Sequence, residues 1–142
     1  MQPIIPTTVC DVVSAIVNAD SAVSEIWLIG SRANGEGRSN SDWDLLVFGG
    51  PQTLEALKHK EGPNLTQFDI LVVYNGDDFK GPLESEQRYK SGSLSGWEWY
   101  RLSEAEAEYT GTHRDHEEIR TVSRRLKAHR LWPDPTSASP RV

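Results

Sequence analysis

The chain predicts an α/β domain, a small mixed β-sheet backed by helices. Short apolar runs of strand length, at residues 25–29, 42–48 and 67–74, are bounded by Gly, Pro, Ser and Asn. Other stretches place apolar residues three and four apart, the spacing of a helix with one buried face. At 142 residues the chain is long enough for one core and too short for a second full domain. The domain is expected over residues 1–132, with a disordered Ser- and Pro-containing tail over 133–142.

Residues 1–6 lack the basic start and long apolar run of a signal peptide, no later segment approaches a membrane span, and a cytoplasmic protein is expected. Thr7 or Thr8 caps a first helix whose stripe is Val9, Val12, Val13, Ile16 and Val17, ending near residues 18–20. Cys10, the only cysteine, is expected to pack beside that stripe and to be inert; it excludes a disulfide framework and a thiolate metal site.

The first strand, 25–29, runs into Gly30-Ser31, where a helical turn can begin, and a glycine-containing loop over 35–41 leads to the second strand, 42–48. In that loop Arg38 reads as a solvated charge. Gly49-Gly50-Pro51 breaks the strand ahead of a scaffold helix over 52–59 that buries Leu54 and Leu57, with His59 at its solvated end. The third strand is 67–74. Residues 75–96 read as a polar connection with one short helix around 83–89, and Asp77 and Asp78 as turn residues.

Trp97, Trp99 and Arg101 alternate with Glu98, Tyr100 and Leu102 as a fourth strand, pairing with a fifth over 104–109 that also reads as helix. Sheet packing is the preferred role of these aromatic residues, over stacking on a nucleobase. A final helix is expected over 113–131, with Ile119, Val122, Leu126 and His129 on one side and arginines on the solvated rest. His113 and His116 read as an ordinary polar helix start rather than metal ligands.

The chemistry concentrates in Gly30 to Phe48. Asp42 and Asp44, two residues apart on a strand, project to one face and crowd two carboxylates into one volume. A divalent cation relieves that repulsion, and hard oxygen donors beside a phosphate suit Mg²⁺. Gly30 lets an anion approach the backbone, Ser31 adds a hydroxyl and Arg32 a fixed positive charge. Asp69, a lone carboxylate in an apolar run, completes a set fit for phosphoryl or nucleotidyl transfer if its strand lies beside the second. The net charge of −6 argues against a general polynucleotide binder.

Gly30-Ser31-Arg32-Ala33-x-Gly35, then Ser41-Asp42-x-Asp44-Leu45, then the strand residue Asp69, resembles the polymerase-beta-type nucleotidyltransferase superfamily. Within it, the set is similar to minimal bacterial nucleotidyltransferase domains, some of them antitoxins. The resemblance implies the nucleotidyltransferase fold and nucleotide binding at Gly30, Ser31, Arg32 and Ser41. It also implies two Mg²⁺ ions on Asp42, Asp44 and Asp69, the same three being catalytic. The expected reaction transfers a nucleoside monophosphate, AMP from ATP first, to a hydroxyl acceptor. A protein acceptor, a helical toxin partner of the HEPN type and a homo-oligomer stay open. The alternative from another class is a catalytically silent module that neutralises such a toxin by contact. A metal-dependent glycosyltransferase using Asp-x-Asp leaves Gly30-Ser31 and Asp69 unexplained.

Overall fold

The computed structural model describes residues 5–35, 42–58, 68–81, 91–115 and 120–134. Helix α1 (Thr7–Ala19) starts directly after Pro6, whose carbonyl accepts from the amides of Val9 (3.1 Å) and Cys10 (3.3 Å), with no side-chain cap. It buries Val9, Val12, Val13 and Ile16, the predicted stripe. Cys10 is exposed rather than packed beside it. One residue advances the helix by about 100°, enough to carry position 10 from the buried line of Val9 to solvent.

Strand β1 (Glu25–Ile29) feeds at once into the single helical turn α2 (Gly30–Ala33). Next come β2 (Trp43–Phe48), helix α3 (Pro51–Lys58) and β3 (Phe68–Val73), followed by the short β4 (Asp78–Lys80), β5 (Ser91–Ser93) and β6 (Tyr100–Arg101). The long β7 (Glu106–Asp115) and β8 (Arg120–Trp132) close the series. All join one curled sheet in the order β5-β4-β3-β2-β1-β8-β7-β6. Strands β2 and β3 run parallel while every other described neighbour is antiparallel, so the sheet is mixed as predicted. A parallel pair needs a crossover, and α3 lies in it, burying Thr53, Leu54 and Leu57.

Strand alternation divides the core in two. Ile26, Leu28, Leu45, Val47, Ile70 and Val72 meet the apolar stripes of α1 and α3. Trp27, Ile29, Leu46, Leu71 and Val73 face the other way, into a cluster with Phe79, Leu94 and Tyr109, against which Trp97 and Trp99 are packed. That second face is covered by a turn rather than by a helix. Trp97 stacks on Tyr109 at 4.9 Å and meets Phe79 at 4.4 Å, and Trp99 stands edge-on to Trp27 at 5.2 Å. These aromatics pack on the sheet.

The polar connection expected over 75–96 carries two short strands, β4 and β5, and Asp78 opens the first of them rather than a turn, because it pairs across to Ser93. Two further predicted elements change. The fourth strand expected over 97–102 is a turn through residues 94–98 and then the two-residue β6. The final helix expected over 113–131 is a β-hairpin: β7 and β8 pair in continuous register from Glu106↔His129 to Asp115↔Arg120. Val122 and Leu126 are four apart and suit a helix, but they are also an even number apart, as are Leu126 and Ala128. Tertiary pairing decided between the two readings. Ala107 faces Ala128 and Tyr109 faces Leu126 across the hairpin, while β8 also pairs with β1 at Ile26, Trp27 and Leu28. His113 falls in β7 rather than at a helix start. Arg38, Ser41, His59, His116, Ile119, the short helix expected around 83–89 and residues 135–142 of the tail lie outside the described residues. No described helix is long and apolar enough to cross a membrane.

Candidate functional site

The end of β1 and the beginnings of β2 and β3 meet at one end of the sheet. Ile29 pairs with Asp44, and Asp44 pairs in parallel register with Asp69. Asp44 is therefore flanked by the last residue of β1 and by a second carboxylate on β3, both side chains half-buried. Asp42, exposed, stands just ahead of β2 and two residues from Asp44. Trp43, between them, turns into the helix-side core. Asp44 and Asp69 share the alternation of Leu46 and Leu71, on the opposite face.

Gly30 completes this corner. Its φ is +76°, in the left-handed region that glycine enters without penalty. A Cβ there would collide with Oδ2 of Asp44, so the carboxylate lies directly against the backbone. The Gly30 N–H donates to the phenol oxygen of Tyr109 at 2.8 Å. Ser31 is half-buried within the same turn.

Asn34 ties the turn to the far part of the chain. Its Nδ2 donates to the carbonyls of Gly30 (2.8 Å) and Lys127 (3.1 Å), and its Oδ1 accepts from the Lys127 amide (2.8 Å). One side-chain amide thus reproduces a rung of strand pairing on β8. His129, 8% exposed, places Nε2 at 3.1 Å from the Ala33 carbonyl, which fits the tautomer with hydrogen on Nε2. Its Nδ1 is 3.8 Å from Glu106 Oε2.

Arg32 places its guanidinium 4.3 Å over the Trp43 ring.

The structure thus unites Gly30, Asp44 and Asp69, sets Asp42 at the approach, and sends Arg32 to Trp43. Among the described residues, no three His, Cys, Asp or Glu side chains are gathered closely enough to hold a metal ion as a group. The donor chemistry nevertheless fits a hard divalent cation: Asp44 and Asp69, in register on adjacent strands, would supply carboxylate oxygens to it, and its charge would offset their mutual repulsion. The missing side chain at Gly30 is what lets the Asp44 carboxylate lie against the backbone of the turn.

Tyr109 and Asn34 were missed from the sequence. Asn34 had a local signal, a polar amide right after the Gly30 turn. The partner of Tyr109 lies 79 positions away, beyond any local pattern.

A model of the nucleotidyltransferase domain matches residues 10–127, most of the chain. No curated protein and no solved structure matches it.

Proposed function

The chain belongs to the nucleotidyltransferase domain family of the polymerase-beta superfamily, and from that premise we propose that it transfers a nucleoside monophosphate, AMP first, from an NTP to a hydroxyl acceptor. The observation that carries this reading is the Gly30–Asp44–Asp69 corner, where a bare glycine backbone abuts one carboxylate that is in register with another.

Asp42, Asp44 and Asp69 would hold Mg²⁺, two ions in the family's arrangement. When bound, Mg²⁺ neutralises charge on the transferring phosphoryl group and on the departing pyrophosphate. Asp69 orients the acceptor hydroxyl and takes its proton on a carboxylate oxygen. The acceptor oxygen then forms a bond to the α-phosphorus as the bond to the bridging α,β-oxygen breaks, and pyrophosphate leaves. Gly30 and Ser31 hold the triphosphate in line, so catalysis is positioning plus electrostatic stabilisation. Ser41 and Arg32 belong to this nucleotide set by family resemblance.

A catalytically silent partner-binding module, such as an antitoxin acting by contact, is the second reading. A helical toxin or another protein is the acceptor class to test first under either reading, and a second copy of the chain is also open.

Incubating the protein with Mg²⁺ and each α-labelled NTP, alone and in lysate, beside Asp44→Asn decides between them. Label transferred by wild type alone supports the transferase and identifies nucleotide and acceptor. No transfer with any NTP, while the chain recovers a partner from the same lysate, overturns it in favour of the silent module.

A further inference from the structure

We propose that Tyr109 is a positioning residue of the nucleotide site, holding the Gly30 turn against the Asp44 carboxylate through its phenol oxygen. The inference deepens the function proposed above and rests on it.

Gly30 is held from two directions. Asp44 Oδ2 lies where a side chain of residue 30 would begin, and the phenol oxygen of Tyr109 accepts the Gly30 N–H at 2.8 Å. The left-handed φ of +76° gives this residue a backbone conformation that its own sequence does not enforce, because glycine populates either hand. Something outside the turn must select it, and the phenol is a contact suited to do so.

Tyr109 is itself fixed. It is 3% exposed, and its ring stacks with Trp97 at 4.9 Å and 27° and with Trp99 at 6.2 Å and 28°. The next amide, Thr110 N–H, donates to the Trp97 carbonyl at 2.6 Å. Trp99 in turn stands against Trp27, on the strand that runs directly into Gly30. The aromatic tract therefore acts as a jig: Trp97 and Trp99 set the ring, the ring sets the oxygen, and the oxygen sets the turn. Displacing a reacting group by about 1 Å is enough to cost a rate factor of order one hundred, so a fixed contact at the glycine turn bears directly on how the triphosphate meets Asp44.

Tyr109→Phe removes the oxygen and keeps the stacked ring. Amide exchange at Gly30, the dissociation constant for Mg²⁺–ATP by calorimetry, and Tm would be measured for wild type and variant. The expected result is faster Gly30 exchange and about tenfold weaker Mg²⁺–ATP binding, with Tm within about 5 °C of wild type. Wild-type affinity in the variant overturns the inference, and so does unchanged Gly30 exchange. Faster exchange with unchanged affinity reduces Tyr109 to a structural contact and overturns it equally. A wild type that binds no NTP, yet shows Gly30 exchange accelerated by Tyr109→Phe, defeats the proposed function while leaving the contact itself established.

Discussion

Asp44 and Asp69 stand directly across from each other in β2 and β3, the pair of described strands that runs parallel. Like charges facing one another across a sheet repel, and a cation held by both carboxylates would relieve that repulsion.

Removing one carboxylate should therefore separate activity from stability. Asp69→Asn is expected to lose nucleotidyl transfer by at least about a hundredfold, while its Tm equals or exceeds that of wild type in metal-free buffer. Thermal melts and the label-transfer assay, run on one preparation, check both. A clear fall in Tm would mean that Asp69 is held in place by structural partners that outweigh its repulsion with Asp44.

Gly30→Ala should fail on two counts. Alanine is strained at the φ of +76°, and its Cβ would occupy the position of Asp44 Oδ2. A loss of about 1–3 kcal/mol is expected from the backbone term alone, read as a lower denaturant midpoint, together with loss of transfer. Gly35 also has a positive φ, of +71°, but a Cβ there meets nothing within 4 Å. Gly35→Ala should carry the strain without the collision and retain more activity.

Glu25 gives the fold a pH dependence. Burial pushes its carboxyl pKa up, but hydrogen bonds from Arg101 and Trp27 and the charges of Arg101 and Arg130 outweigh this and hold it below the ordinary 4.5. Arg101 reaches both carboxylate oxygens, at 2.5 and 3.0 Å, and lies over the rings of Trp27 and Phe48. A depressed folded pKa contributes stability that is present above the unfolded value and lost as pH falls through the folded one. Glu25→Gln is expected to lower Tm at pH 7, and the gap from wild type should close as pH falls below the ordinary carboxylate value and through the depressed one. A gap that stays constant across pH would assign the effect to packing instead.

The parts of this architecture legible in sequence are those whose logic is local. The stripe of α1, the three apolar strands and the glycine turn declare themselves within a few residues, and so do Asp44 and Asp69, because a charge inside a β-run has little structural reason to be there. Residues 113–131 misled because Val122 and Leu126 satisfy helical and strand spacing alike, and only pairing with Tyr109 and with β1 chooses. Cys10 misled for a smaller reason: proximity in sequence to a buried stripe does not put a residue on it. Arg32 follows the expected turn, and its contact with the Trp43 ring depends on pairing that no local pattern shows.

The bond from Gly30 to Tyr109 also has a meaning in time. The two are separated by 79 positions, and Asn34 is 93 positions from Lys127. A ribosome adding about 5–20 residues per second makes Tyr109 roughly 4–16 s after Gly30. Through the second half of that interval the nascent chain already carries Asp44 and Asp69, without the phenol that holds the glycine turn or the strand to which Asn34 is tied. Competence is thus deferred until Tyr109 and Lys127 have been made: the carboxylates come first, and the turn they work with is locked afterwards.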